Sequence, residues 1–453
     1  MLGCRRNSPR GLGATMRHIM SSLAVFCLVA AVGGPAAGQS RTTIIEYDKD
    51  GRPKGAITNE QRPGTAATPA GPNTAPAARG TAPAAPAPRG PASRYADGEV
   101  VVTNAPAGFE VAAAQMCFRV LERVRLANLG LEILRLAIPA RSTVEEARAS
   151  LRTRFPGIVA DANHLYEPSQ GAASAAAPAD LRNGSLARAM VGWEQVPATC
   201  GRGVRLGMID GAVDTTHPAF AGRQIEYKSF HDPKKQPGAA AHGTAVAALF
   251  IGAPADKGFG GILPGAKLYA ANMFEEDASG KTAGSALAMV KALDWLATEK
   301  IPVVNLSISG ADNTLLKLGI EKARRTGMAL VASVGNDNSD EPAYPAAFEG
   351  VVSVTAVSDQ RLIYDKANRG DYVDLAAPGV RVWTAVPGGG KYQTGTSFAA
   401  PFITALIALD AAKGQSIEEK AVIGRYGAKA IDLGPPGRDK IFGFGLVNAA
   451  PAC

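Results

Sequence analysis

From about Leu186 onward, the chain alternates strand-like runs rich in Val, Ile and Ala with longer apolar runs of helical character. The strand-like runs are Val204–Asp210, Lys267–Phe274, Pro302–Ser309, Met328–Gly335 and Val351–Ser358, and the helical runs are Gly243–Ile251, Ala283–Thr298, Leu315–Thr326 and Phe398–Asp410. Strands this apolar, joined by helical crossovers, indicate a parallel sheet covered by helices on both faces. The pattern therefore predicts an α/β domain of three layers with a mainly parallel central sheet, and functional residues at the carboxyl ends of its strands.

The run from Gly395 to Pro401, GTSFAAP, places a serine, Ser397, at the start of an apolar helical segment. Free backbone N–H groups and the helix dipole favour negative charge at such a place. A nucleophilic serine needs these surroundings, because its tetrahedral intermediate carries an oxyanion. A helix cap is the simpler explanation for any single serine before a helix, so the interpretation depends on partners.

Three candidate partners each stand at the end of a predicted element. Asp210 ends a strand-like run, His242 stands at the start of an apolar helical run, and Asn336 follows another strand-like run. Taken alone, Asp210 could cap a helix and His242 could be a structural core histidine. Together with Ser397, in the order Asp, His, Ser, they match a charge-relay triad, and Asn336 adds an amide that can donate to an oxyanion.

Across these four motif blocks, from about Val204 to the C-terminal region, the chain resembles the subtilisin-like serine peptidases of the subtilase family. The resemblance implies that Ser397 is the nucleophile, His242 the general base and acid, Asp210 the residue that orients the imidazole, and Asn336 the oxyanion donor. It also implies polypeptide substrates and no cofactor. An esterase with the same triad is disfavoured because the serine lacks the Gly-x-Ser-x-Gly elbow of α/β-hydrolases.

The resemblance further implies a set of substrate-binding residues. One wall of the primary pocket comprises Ser307, Ile308, Ser309 and Gly310, the other Ser333, Val334 and Gly335, and a strand edge for extended substrate includes Ser279 and Gly280. These walls contain no charged residue, which favours an apolar or medium-sized side chain at P1, the residue whose carbonyl is attacked. Asp312 supports the alternative, because convertase-type members carry acidic residues near this place and select Arg or Lys.

Three departures from the family pattern concern the site and its usual calcium. Gly211-Ala212 follow Asp210 where most members have Ser or Thr and then Gly, so we expect one supporting hydrogen bond to be absent. Ala245 replaces the second histidine of the His-Gly-Thr-His block, and Ala219 replaces an aspartate that many members use as a calcium ligand. The segment 252–258 offers a single carboxylate to an ion that needs six to eight oxygens, so we expect no metal site of the usual high affinity.

Residues 1–38 read as a secretory signal peptide, because arginines precede a short apolar run and small residues follow it. Export would place the protein outside the cell or in a periplasm, with no membrane attachment after cleavage. The net charge of +8 is spread along the whole chain, so no nucleic-acid partner is expected. Residues 39–95 are rich in Pro and Ala and predict a disordered linker.

Residues 96–167 are predicted to form a small α+β domain in the order β-α-β-β-α-β, followed by a linker, 168–185, and the main domain, 186–453. The order and position resemble the ferredoxin-like inhibitory pro-domains of subtilases, whose tail occupies the substrate cleft. A stable accessory domain of the same fold is the alternative. For the whole protein we therefore expect an endopeptidase made as a self-inhibited precursor, or else a permanently inhibited binding or chaperone module.

Three cysteines, Cys117, Cys200 and Cys453, remain after the leader is removed. Cys200 and Cys453 flank the main domain, and domain termini often lie close together, so we predict a disulfide between them. The competing pair is Cys117–Cys200, which would tether the small domain to the main one.

Overall fold

The structure, a computed structural model, describes residues 42–47, 53–59, 94–168, 185–253, 259–276, 281–450 and 453. Its contacts define two compact units, Met1–Pro83 and Ala84–Cys453. In the first unit, strands β1 (Thr42–Tyr47) and β2 (Pro53–Asn59) form an antiparallel hairpin within the predicted linker 39–95. The predicted signal peptide, 1–38, lies outside the described residues.

The second unit begins with an N-terminal domain of four strands and two helices. Its elements are β3 (Tyr95–Thr103), α1 (Phe109–Gln115), β4 (Arg119–Leu126), β5 (Leu131–Ala137), α2 (Val144–Arg154) and β6 (Val159–Pro168). The strands lie in the order β6-β3-β5-β4, and all neighbours are antiparallel. Thr143 caps α2 and pairs with Glu146 in a capping box.

The C-terminal domain contains the remaining elements. They are α3 (Ser185–Met190), β7 (Arg205–Asp210), β8 (Gln224–Ser229), α4 (Ala241–Ile251), β9 (Lys267–Asn272), β10 (Phe274–Glu276), β11 (Thr282–Ser285), α5 (Ala286–Thr298), β12 (Val303–Leu306), β13 (Ile308–Ser309), α6 (Thr314–Arg325), β14 (Ala329–Ser333), β15 (Val351–Val357), β16 (Leu375–Pro378), β17 (Val382–Val386), β18 (Gly389–Gln393), α7 (Ala400–Ala412), α8 (Glu419–Gly427), β19 (Ala430–Ile431) and β20 (Leu446–Val447). No helix of the described part of the chain is both long and apolar enough to cross a bilayer.

Nine strands form the central sheet in the order β19-β20-β16-β15-β14-β12-β7-β9-β8, and only β19 and β20 pair antiparallel. The central strands β12, β14 and β15 are buried along their whole length, which explains their near-continuous runs of Val, Leu and Ala. Helix α7 packs on β12, β14, β15 and β16, helix α4 packs on β7, β9 and β17, and α5 packs on β7, β9 and α6. The sheet is therefore mainly parallel, as the sequence predicts.

The predicted strand Lys267–Phe274 ends at Asn272 in the central sheet, and Phe274 begins β10. Two further predicted elements differ in the structure. The strand-like run Pro302–Ser309 is two strands, because the chain leaves the central sheet at Ser307 and its next two residues pair with β6 instead. The predicted helix Ala283–Thr298 begins only at Ala286, because residues 282–285 form strand β11, which pairs with β10 and β6. Both differences arise from contact with the N-terminal domain.

One hydrophobic cluster spans the two domains, and a second cluster lies within the N-terminal domain. Side chains from β3–β5, including Val101, Leu126 and Ile133, belong to the same buried cluster as the apolar face of α5. Strand β6 adds polar anchors at two helix N-termini, where Asp161 Oδ2 accepts from Thr314 N at 2.8 Å and Asn163 Oδ1 accepts from Leu287 N at 3.2 Å. Free N–H groups at helix ends need such acceptors, so these contacts stabilise both helices and the docking of β6.

A disulfide joins Cys200 to Cys453, with their Cα atoms 5.0 Å apart. Nearby, the indole of Trp193 donates to Ala449 O at 2.6 Å and connects the same two ends of the domain. The predicted Cys200–Cys453 pair is confirmed, and the competing Cys117–Cys200 pair is wrong.

Candidate active site

Asp210 is the last residue of β7, and its side chain is completely buried. Its Oδ1 accepts a hydrogen bond from Gly211 N at 2.6 Å, whereas its Oδ2 has no hydrogen-bond partner in the described part of the chain. A hydroxyl side chain at position 211 or 212 could donate to this carboxylate, and the sequence provides none there. Within the described residues, the hydrogen bonds to this carboxylate therefore all involve Oδ1.

His242 lies in the first turn of α4 and is almost fully buried. Its Nδ1 is 2.6 Å from Asp210 Oδ1. A carboxylate can only accept, so Nδ1 carries the proton and Nε2 is left with its lone pair. Nε2 has no hydrogen-bond partner among the residues that the structure describes, and an imidazole in this tautomer can accept a proton there.

The helix that carries His242 approaches the aspartate closely because Gly243 follows the histidine. A Cβ at position 243 would lie 2.5 Å from the carbonyl oxygens of both Gly211 and Ala212. The hydroxyl of Thr244 then accepts from Asp214 N at 2.8 Å and ties α4 to the loop after β7. Glycine and threonine in the His-Gly-Thr block therefore position the histidine.

Ser397 lies in a 3₁₀ turn, Thr396–Phe398, immediately before α7. It is buried, and its Oγ donates to Ser307 O at 3.3 Å. The ring of Phe398 lies 5.3 Å from the imidazole of His242, measured between ring centroids. The turn that carries the serine is therefore a direct neighbour of the histidine.

Asn336 follows β14, and its amide is held by the residue before Ser397. Its Oδ1 accepts from Thr396 N at 3.0 Å and from Thr396 Oγ1 at 2.9 Å. These two bonds identify the oxygen end of the amide, so the donor, Nδ2, is on the opposite side from Thr396. The same hydroxyl accepts from Gly335 N at 3.2 Å.

The two predicted pocket walls, Ser307–Gly310 and Ser333–Gly335, lie side by side. Gly335 has φ +99°, and a Cβ there would lie 3.1 Å from Ser309 Oγ and 2.4 Å from Asn368 Nδ2. Only glycine allows this approach without strain. Ser333 Oγ is buried with no hydrogen-bond partner within the described residues, and Val334 N donates to Val354 O at 3.1 Å.

The predicted edge residues Ser279 and Gly280 lie outside the described residues. The neighbouring strand, β11, pairs antiparallel with β6, and β13 pairs with β6 from the other side. The end of β6 therefore runs between β11 and the Ile308–Ser309 wall.

Tyr166, near the end of β6, is buried against that wall. A Cβ on Gly310 would lie 2.5 Å from the tyrosine ring, and the phenol donates to Ala311 O at 3.1 Å. Burial raises the pKa of Tyr166 well above its usual value, and the carboxylate of Asp312 adds to this rise. Asp312 itself is exposed, as expected for a turn residue.

Metal ligands are not clustered in the residues that the structure describes: no group of three or more His, Cys, Asp or Glu side chains could hold an ion there.

His217 lies two residues before Ala219, which replaces the aspartate that many family members use as a calcium ligand, and both of its ring nitrogens have partners. Its Nδ1 accepts from Ala219 N at 3.1 Å, and its Nε2 lies 3.0 Å from Gly389 O. His217 is therefore a structural residue.

Sequence reasoning missed three supporting residues. Asn305 donates to Ser307 Oγ at 2.7 Å, Thr404 donates to Asn305 Oδ1 at 3.1 Å, and Thr396 holds Asn336 as described above. Thr396 stands inside the GTSFAAP run, and its position beside the serine was the available signal. Asn305 and Thr404 carry no comparable signal, since they are separated by 99 residues.

Comparisons with known proteins identify a family for this chain. The sequence profile described as the subtilase family, peptidase S8, matches residues 201–445. The chain is 30% identical over 255 residues to minor extracellular protease Epr of Bacillus subtilis (strain 168), covering 55% of this chain and 38% of that protein. It is 30% identical over 263 residues to subtilisin E of the same strain, covering 56% of this chain and 66% of that protein. The chain thus spans less than two thirds of either relative.

Among solved structures, the fold is similar to that of fervidolysin from Fervidobacterium pennivorans, a keratinolytic enzyme related to subtilisin. The TM-score is 0.66 at 20% identity, and the similarity covers 79% of this chain and 60% of that one. At this identity the similarity concerns the fold alone. The structural similarity covers more of this chain than residues 201–445, the part that the family profile matches.

Proposed function

Because this chain belongs to the subtilase family, we propose that it is a serine endopeptidase acting through Asp210, His242 and Ser397. The observation that carries the proposal is the 2.6 Å contact between His242 Nδ1 and Asp210 Oδ1, buried beside the turn that presents Ser397. A buried aspartate in this position orients the imidazole and stabilises the imidazolium that forms during catalysis.

In the proposed reaction, Ser397 Oγ attacks the carbonyl carbon of the scissile peptide while its proton moves to His242 Nε2. Asn336 Nδ2 and the backbone N–H of Ser397 stabilise the oxyanion. The C–N bond then breaks, the leaving amine takes the proton from His242, and an acyl-enzyme remains. Water, deprotonated by the same Nε2, releases the acid and restores the serine.

We propose that the walls Ser307–Gly310 and Ser333–Gly335 bind the substrate. Ser279 and Gly280 are proposed to belong to the strand edge that pairs with extended substrate. The absence of charge in these walls supports an apolar or medium-sized P1 side chain. No metal or other cofactor is part of the proposed mechanism.

The N-terminal domain, 96–167, is proposed to be a ferredoxin-like pro-domain that inhibits the enzyme in cis. The pairing of β6 with β11 and β13 supports this proposal, because a strand in that place blocks access for an extended substrate. The same pairing favours the second candidate, a protein whose pro-domain never leaves and whose activity on other proteins is slight.

Export through residues 1–38 to the cell exterior or a periplasm completes the proposal. The Cys200–Cys453 disulfide supports it, because such bonds persist in oxidising compartments.

The test is purification of the exported form, N-terminal sequencing and a casein assay, together with Ser397→Ala. The wild type should lose its N-terminal domain and cleave casein. Ser397→Ala should do neither, since loss of a triad member in a subtilisin lowers kcat about a millionfold. A processed wild-type protein that retains the pro-domain and leaves casein intact would support the second candidate, and peptidase activity in Ser397→Ala would refute the mechanism.

A further inference from the structure

We propose that Lys281 selects an acidic side chain at P3, the third residue before the scissile bond, and that the end of β6 displays this enzyme's own recognition sequence. The inference rests on the proposed endopeptidase function and adds a specificity determinant to it. It follows from the register of β6 in the cleft and from the partners of Glu167.

The register locates the scissile bond relative to β6. In the antiparallel pairing with β13, Glu167 lies opposite Ser309 and Pro168 opposite Ile308. An extended substrate bound in this register would place its next residue opposite Ser307, whose carbonyl accepts from Ser397 Oγ at 3.3 Å. Directly opposed residues of such a pair are about 4.5–5.5 Å apart, so the substrate residue opposite Ser307 is the one nearest to the nucleophile and is P1. A substrate residue that replaces Glu167 is then P3, and the sequence Glu-Pro-Ser supplies Ser at P1, smaller than the apolar residue expected from the pocket walls.

Tyr166 holds this register in place. It pairs with Gly284 of β11, and its ring occupies the space that the missing side chain of Gly310 leaves. A slip by one residue would remove the ring from this space and turn every following side chain to the opposite face.

Glu167 is recognised by charge. Its carboxylate is 2.7 Å from Lys281 Nζ and also forms an ion pair with Arg94. Arg94 belongs to the N-terminal domain and leaves with it, whereas Lys281 directly precedes β11 in the C-terminal domain. Of the two described residues that pair with Glu167, only Lys281 would therefore remain to contact the P3 side chain of a substrate bound in place of β6.

The expected preference is modest, because both side chains are about half exposed, at 49% and 46%. Exposed ion pairs of this kind correspond to about a two- to fivefold effect on binding at low salt. A repulsive pair adds a comparable penalty, so an acidic P3 should be favoured over a basic one by about tenfold. Salt near 1 M should remove most of the preference.

The experiment uses the self-processed protein and three peptides that contain Tyr-Glu-Pro-Ser-Gln, or the same sequence with Gln or Lys in place of Glu. We expect kcat/KM to fall in the order Glu, Gln, Lys, with cleavage after Ser shown by product mass. Lys281→Glu should reverse the order, and Lys281→Gln should abolish the preference. Lys420→Glu is the matched control, because Lys420 is exposed on α8, which packs on β15 and β16, and should keep the wild-type order.

Equal rates on the three peptides, an unchanged order in both Lys281 variants, or cleavage at another bond would overturn the inference. The casein assay distinguishes a failure of the proposed role of Lys281 from a failure of the proposed endopeptidase function. If casein is cleaved without any P3 preference, only the role of Lys281 fails. If neither casein nor any peptide is cleaved, the proposed function fails, and the inference fails with it.

Discussion

Thr396→Val tests whether the hydroxyl of Thr396 positions the oxyanion donor. The substitution keeps the shape of the side chain but removes one of two hydrogen bonds to Asn336 Oδ1, the 2.9 Å bond, while the 3.0 Å bond from the backbone remains. A neutral hydrogen bond is worth about 0.5–1.5 kcal/mol, which corresponds to a two- to twelvefold effect on rate. Complete loss of an oxyanion-hole donor, measured on a subtilisin, costs about 10²–10³ in kcat. We therefore expect kcat to fall about tenfold.

The assay is steady-state hydrolysis of a peptide by the wild type, Thr396→Val, Thr396→Ser and Asn336→Ala. KM should change little in Thr396→Val, because the amide acts on charge that develops only in the transition state. Thr396→Ser keeps the hydroxyl and should retain most of the activity. The variant should also be less stable by about 1–3 kcal/mol, because buried Gly335 N loses its acceptor.

Two results would refute this reasoning. An unchanged kcat in Thr396→Val would mean that the backbone bond alone orients Asn336. A loss as large as that of Asn336→Ala would mean that Thr396 has a role beyond positioning the amide.

Four further outcomes are expected. Cys200→Ser combined with Cys453→Ser should destabilise the protein by about 4–5 kcal/mol and lower Tm by about 10 °C, which calorimetry would detect; an unchanged Tm would contradict this. EDTA should lower Tm by less than about 10 °C, and a larger fall would mean that a bound metal contributes several kcal/mol. Asp161→Ala removes the acceptor of Thr314 N at the start of α6, where the N-cap Asn313 remains, and should speed dissociation of the cleaved N-terminal domain about five- to thirtyfold on size-exclusion chromatography. An unchanged rate would exclude this hydrogen bond as an anchor. Burial raises the pKa of Asp374 to about 6, so protonation of its carboxyl stabilises the native state below pH 4, and this stabilisation is lost as the pH rises through 6. Relative to Asp374→Asn, the free energy of unfolding of the wild type should therefore fall by about 2–3 kcal/mol between pH 4 and 7 in denaturant titrations. Parallel pH dependences in the two proteins would contradict the shift.

The sequence by itself determined the parallel sheet and the candidate triad. Strands β12, β14 and β15 are buried on both faces, so their composition is mostly apolar and could be recognised locally. The motifs around Asp210, His242 and Ser397 are equally local, because each residue stands at the end of one element within a short run of small residues. For the same reason their proposed roles could be inferred before the fold was known.

The tertiary structure decided what depends on residues far apart in the chain. The sequence predicted one strand through Ser307 and a helix from Ala283, yet both segments extend to meet β6, and their ladder contacts exist only after the N-terminal domain has docked. The pairing of Glu167 with Lys281 and of Asn305 with Thr404 likewise has no local signature. A side chain's hydrogen bonds and ion pairs are set by where its neighbours pack, and local propensity contains no information about neighbours a hundred residues away.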